Sequence, residues 1–152
     1  MISERLRKVV ESGLSIVVGT ADSDRMPSCC RAIAVTTNDD FETVTVYVPV
    51  ATRLETMANI ATTRRVAVTC SEIPSHESTQ IKGVTRSVRL APQSEQSFLK
   101  ERLDAFAGSL ELIGLPRQIA RSMSFWPAYA IDLSVEEVFD QTPGPKAGNS
   151  LT

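Results

Sequence analysis

The chain has 152 residues, 42% of them hydrophobic and 22% charged, with a formal net charge of −2. That length suits one domain with a core large enough to stand without disulfides or metals. No apolar run reaches the roughly 18 residues of a membrane-spanning helix, and MISERLRKVVESG lacks the apolar centre of a secretory signal. A slightly acidic balance, with charges scattered, is unlike a nucleic-acid binder. The three cysteines, two of them adjacent as Cys29 and Cys30, are expected as free thiols in a reducing cytoplasm.

Leu6, Val9 and Val10 are spaced for a short amphipathic helix over 3–12, with Ser3 as its cap and Gly13 as its end. The β-branched run Leu14–Val18 predicts a strand, and Asp22-Ser23-Asp24-Arg25 a turn. Pro27 opens a second strand through CCRAIAVTT. A third follows Asn38-Asp39-Asp40, with Val44, Val46, Val48 and Val50 at a period of two. Leu54, Met57, Ala58 and Ala61 then predict a helix of about three turns, with Thr52 as its cap.

Val66, Val68 and Cys70 mark the next strand, and IPSHES a loop. A long strand follows in TQIKGVTRSVRL, with Val84, Val88 and Leu90 on one face and Gly83 at a bulge. Phe98, Leu99, Leu103, Phe106 and Leu110 predict a helix, and Pro116 the first position of a shorter one. A last strand covers about 128–138. The expected organisation is a domain over 1–140 and an irregular Pro/Gly-rich tail over 141–152, ordered only where something docks it. Strands dominate, so the predicted fold is mainly β: a six-stranded antiparallel barrel with helices outside it.

No dinucleotide or P-loop glycine motif is present, and no C-x-x-C. Cys29, Cys30, Cys70 and His76 match no zinc spacing, so no metal site is expected. His76, the only histidine, reads as a loop residue more readily than as the base of a cysteine nucleophile. Thr52-Arg53 at a helix start supplies a hydroxyl, a guanidinium and free amides, the makings of a phosphate site; an ordinary capped helix reads the same way. Arg31, in a mostly apolar strand, needs an anionic partner or a surface position. Gln80 and Lys82 share one strand face, which serves either a ligand or the solvent.

In order and motif together, the chain resembles the pyridoxamine 5′-phosphate oxidase-like family, the FMN-binding split barrels, over roughly residues 3–141. The resemblance is carried by Arg31-Ala32-Ile33-Ala34 on an early strand, Tyr47-Val48 at the end of the next, Thr52-Arg53 at a helix start, and Gln80-Ile81-Lys82. It implies a split barrel that works as a homodimer with FMN at the subunit interface. It also implies that Arg31, Ala32, Ile33, Ala34, Tyr47, Val48, Thr52, Arg53, Gln80 and Lys82 contact the cofactor. Thr36 stands where the family's authentic oxidases place a lysine, Leu54 where the family's phosphate triplet has one, and no arginine or histidine follows Arg121. These departures point away from pyridoxamine 5′-phosphate as substrate. The expected activity is an FMN-dependent hydride transfer involving another small molecule. The alternatives are a non-catalytic flavin binder on the same barrel and, behind it, a haem binder through His76 or a cysteine. A single-stranded nucleic-acid barrel would want more aromatics and basic charge.

Overall fold

The computed structural model describes residues 2–11, 13–52 and 54–152, and their side chains except those of Ile2 and Ser3. The phosphate candidate Arg53 and the side chain of the expected cap Ser3 therefore lie outside what is described; the backbone of Ser3 is already helical. The elements are α1 (Ile2–Val9), β1 (Ser15–Ala21), β2 (Pro27–Ala32), β3 (Ala34–Thr37), β4 (Thr43–Pro49), α2 (Leu54–Thr63), β5 (Arg65–Ser71), β6 (Ser78–Leu90), α3 (Gln96–Leu112), α4 (Gln118–Arg121) and β7 (Ala128–Asp140).

One antiparallel sheet carries all seven strands in the order β2-β1-β5-β6-β7-β4-β3. Its two outermost strands, β2 and β3, are consecutive in the chain and separated only by Ile33. The sheet must therefore curl until its ends meet, which makes it a barrel. The six strands expected become seven because the run CCRAIAVTT breaks at Ile33. Its first part pairs with β1 and its second with β4, and the Ile33 N–H already donates to the Tyr47 carbonyl at 2.9 Å.

The barrel interior is aliphatic. Val18, Val44, Val46, Val48, Val68, Ile81, Ile131, Leu133 and Val138 are fully buried, and Leu6 and Val9 of α1 join them. Burial of each such side chain contributes roughly 1.5–3 kcal/mol. A second cluster lies outside the barrel wall. There Leu99, Leu103, Phe106 and Leu110 of α3 cover Ile33, Ala34, Tyr47, Ala128 and Ala130.

Helix α2 forms where expected but turns a different face inward. Thr56, Asn59 and Ile60 are buried, whereas Leu54 is 75% exposed and Ala58 and Ala61 are exposed. The barrel end it meets offers polar partners. Thr56 donates to Cys30 Sγ (3.3 Å), Asn59 to Thr20 Oγ1 (3.1 Å) and Thr63 to the Ala21 carbonyl (3.0 Å). Hydrogen-bond satisfaction outweighs apolar periodicity there. Val88 and Leu90 are likewise exposed rather than packed, because β6 makes register shifts at Lys82/Gly83 and Thr85/Ser87 and runs past its partner β5. Gly83 marks the first shift, as expected. Pro116 precedes α4 by two positions instead of opening it. The segment over 141–152 is docked on its own chain, with Ser150 bridged to Phe139.

No described helix is long and apolar enough to cross a membrane.

Candidate functional site

Cross-strand neighbours in a sheet point to the same side, so the register lays out the outer barrel wall row by row. One row is Arg31–Val17–Thr69–Gln80–Phe139, across β2, β1, β5, β6 and β7. The next is Cys29–Gly19–Ala67–Lys82–Glu137. Helix α3 packs on the other half of the wall. In these two rows Val17, Gly19, Ala67, Thr69 and Gln80 are only partly covered, and Cys29, Arg31, Lys82 and Glu137 are exposed. The result is a shallow groove of about 600 Å³ over Gly19, Ala21, Cys29, Ala67, Lys82 and Glu137. Its floor is made of the two smallest side chains, glycine and alanine. A Cβ added to Gly19 would meet only the Ala67 carbonyl, at 3.9 Å.

Three predicted residues belong to this face. Arg31 and Gln80 lie three strand spacings apart in one row, about 14 Å, and Lys82 is in the adjacent row. The Arg31 guanidinium donates to Ser15 Oγ at 3.1 Å and sits 5.7 Å from the centre of the Phe106 ring. Gln80 Nε2 donates to Thr69 Oγ1 at 3.1 Å, and the Lys82 ammonium lies 4.6 Å from the centre of the Phe139 ring. All three polar heads are thus held over the sheet by neighbours.

Five other predicted residues have buried side chains. Ala32 and Val48 belong to the barrel interior, and Ile33, Ala34 and Tyr47 to the layer under α3. None of the five presents its side chain to the open wall. The Tyr47 ring packs edge-on against Phe98, with centroids 5.8 Å apart. Burial pushes its phenol pKa up, and the Glu95 carboxylate nearby adds to the rise. Thr52 does not cap α2: it closes a 3-10 turn over Val50–Thr52, and its hydroxyl donates back to the Pro49 carbonyl at 3.3 Å. It remains at the head of a helix whose first turn rests on Cys30, next to Arg31 and Cys29.

The thiols do not converge. Cys29 faces the groove, Cys30 points to the other side toward Thr56, and Cys70 is buried. Burial pushes the Cys70 thiol up to about 12 and raises that of Cys30 against the Thr56 hydrogen bond, so neither is an activated nucleophile. His76 is exposed in the β5–β6 connection, as its loop reading predicts, with a φ of 61°.

Sequence alone missed Gly19 and Ala67. Their small size matters only once the register sets them side by side, and nothing local in VVGTA or RVAVT announces that.

The groove has an apolar floor with Arg65, Lys82 and the Glu137 carboxylate at its sides, and Gln80 and Arg31 stand in the adjacent row. Such a floor admits a flat ligand. No family profile matches the chain, and no curated relative does. Solved structures do. HupZ of Group A Streptococcus aligns over 97% of this chain and 100% of its own, at 16% identity and a TM-score of 0.58. An F420 reductase covers 87% and 94%, at 13% identity and 0.56. An FMN-binding protein of Syntrophomonas wolfei covers 91% and 89%, at 11% identity and 0.53. All three are pyridoxamine 5′-phosphate oxidase-like split barrels. This chain has that fold. The identities are too low to carry more than fold, and the ligand must be argued from the residues of this split barrel.

Proposed function

We propose that this split barrel is an FMN-dependent oxidoreductase that works as a homodimer on a small-molecule substrate in the cytoplasm. The observation that carries the reading is the uncovered wall, where Lys82 lines the groove over the Gly19–Ala67 floor and Gln80 and Arg31 stand in the row beside it. A neighbour of the same fold described as FMN-binding supports it. FMN, when bound, supplies hydride transfer at its N5.

The chain's own part is binding, orientation and exclusion of water. Arg31, and Thr52 with Arg53 beside it in sequence, bind the phosphate. Gln80 offers one carboxamide to the polar edge of the ring system, and Lys82 places a positive charge next to it. The floor lets a ring approach the sheet backbone, and a second subunit laid on the same wall excludes water. Thr36 leaves a pyridoxamine phosphate without the lysine that the family resemblance would supply, which favours another compound as substrate.

An absorbance spectrum of the purified protein, before and after FMN is added and the excess removed, tests the reading. Flavin bands retained through gel filtration at dimer size are expected; a colourless protein that refuses FMN overturns it. Arg53→Ala is expected to weaken FMN binding at least about tenfold, near 1.4 kcal/mol, in a fluorescence titration. An unchanged affinity takes Arg53 out of the site.

The second reading is a flavin carrier without turnover, because Arg31, Gln80 and Lys82 are binding groups that serve a carrier as well as an enzyme. Reoxidation of the reduced protein at a rate independent of every added substrate or quinone is the mark of a carrier. Substrate-dependent reoxidation is the mark of an enzyme.

A further inference from the structure

Residues 141–152 leave the barrel after β7 and return to it. The Asp140 N–H donates to the Asn149 carbonyl (3.0 Å), the Gly148 N–H to the Asp140 carbonyl (2.7 Å), and the Leu151 N–H to the Val138 carbonyl (2.8 Å). Leu151 packs against the barrel core. At the other end of the segment the Gln141 N–H donates to the Ser78 carbonyl (2.9 Å), and Thr142 Oγ1 accepts from the Ser78 N–H (3.1 Å). The segment is stitched to both β6 and β7, beside the two candidate residues of β6. Gln141 Nε2 reaches Gln80 Oε1 at 3.5 Å, the outer limit of a hydrogen bond. Phe139, on which the Lys82 ammonium rests, is bridged to Ser150.

One carboxylate fastens this segment. Asp140 accepts from Arg5 of α1 at 2.6 Å and from the Thr142 N–H at 2.9 Å, while Arg5 also holds Glu77 at 2.6 Å. Asp140 is only 8% exposed. The Thr142 amide and hydroxyl, with Arg5 behind them, hold its pKa below the usual carboxylate range. The carboxylate joins α1 to the end of β7 and the first residues of the segment, while the backbone of the same residue holds the returning residues Gly148 and Asn149.

We propose that residues 141–152 form a strap that positions Gln80 and Lys82 on the open wall, and that the Asp140–Arg5 pair is its fastening. Lys82 and Gln80 are long side chains, and ordering them on binding costs free energy unless they are already held. Asp140 and Gln141 are positioning residues, which act through the two they steady. The benefit to ligand binding rests on the flavin reading; the strap's hold on Lys82 does not.

The test compares the full chain with one ending after Gly148, and with Asp140→Asn and Asp140→Glu. The first readout needs no flavin: the rate at which Lys82 is acetylated by acetic anhydride, located by peptide mass. Ending the chain after Gly148, or Asp140→Asn, is expected to raise that rate at least threefold and to weaken FMN binding at least fivefold. Amide protection of Val18 and Val68 should stay unchanged, and Asp140→Glu should recover most of both effects. If the shortened chain does not fold, Asp140→Asn carries the test. An unchanged Lys82 rate overturns the proposal, and so does a raised rate with wild-type FMN affinity. A raised rate in a protein whose full chain binds no FMN upholds the strap and refutes the flavin reading.

Discussion

Gly83→Ala is expected to lower stability by about 3 kcal/mol or more, the upper end of what overpacking costs. A Cβ at position 83 falls 2.0 Å from the Ser134 carbonyl oxygen and 3.0 Å from its carbon. Both are backbone atoms, so no rotamer change relieves the clash. The contact is close because β6 and β7 shift register between Lys82 and Gly83, and the two backbones approach more closely there than ordinary strands do. The strands must separate around the bulge, and Lys82, the preceding residue, moves with them. Melting by circular dichroism should show a fall of roughly 6–12 °C, taking 2–4 °C per kcal/mol at this chain length. Gly108→Ala is the control of opposite sign. It lies within α3, and its added Cβ meets only a guanidinium nitrogen of Arg117, at 3.6 Å. Alanine in a helix interior gains roughly 0.5–1 kcal/mol over glycine, so Tm should rise. A Gly83→Ala protein as stable as the parent would mean that the β6–β7 bulge leaves room for a Cβ beside the Ser134 carbonyl.

Local chemistry made much of this legible from sequence. The period of two in Val44, Val46 and Val48 leads directly to three fully buried valines. The Asp22 turn appears with its carboxylate accepting from the Asp24 and Met26 amides. The α3 stripe of Leu99, Leu103, Phe106 and Leu110 is buried as spaced. Legibility ended wherever a side chain's surroundings come from distant segments. The face of α2 could not be read because Cys30 and Thr20, which its buried residues meet, lie in other strands. The break at Ile33 has no glycine or proline to announce it; it exists because one strand must serve both ends of the sheet. For the same reason Arg31, Gln80 and Lys82 were recognisable as unusual polar residues in strands, while the Gly19–Ala67 floor was not. The packing of Tyr47, Ile33 and Ala34 under α3 depends on where that helix lands, which no pattern in the strands encodes.

Ala67→Glu should leave the fold standing and abolish the assembled site. Ala67 lies at the centre of the open wall, directly between Gly19 and Lys82 in the register, and its side chain faces a groove with room for a longer one. In a single chain the new carboxylate gains a cross-strand lysine, worth roughly 0.2–1 kcal/mol, so Tm should change little. In the proposed dimer the same carboxylate is buried against a second copy of the wall. The pairing rule of a two-fold interface brings both copies' changes into it. A buried charge without a full set of partners costs several kcal/mol, and each 1.4 kcal/mol is tenfold in affinity. Light scattering should therefore report a monomer at concentrations where the parent is a dimer. FMN affinity should fall at least about a hundredfold, because the added side chain fills the floor as well as parting the subunits. A variant that stays dimeric and keeps its flavin would mean that neither partner nor cofactor uses this wall. One that becomes monomeric yet binds FMN as the parent does would place the cofactor elsewhere on the barrel, and the reading of Arg31, Gln80 and Lys82 as its partners would fall with that result.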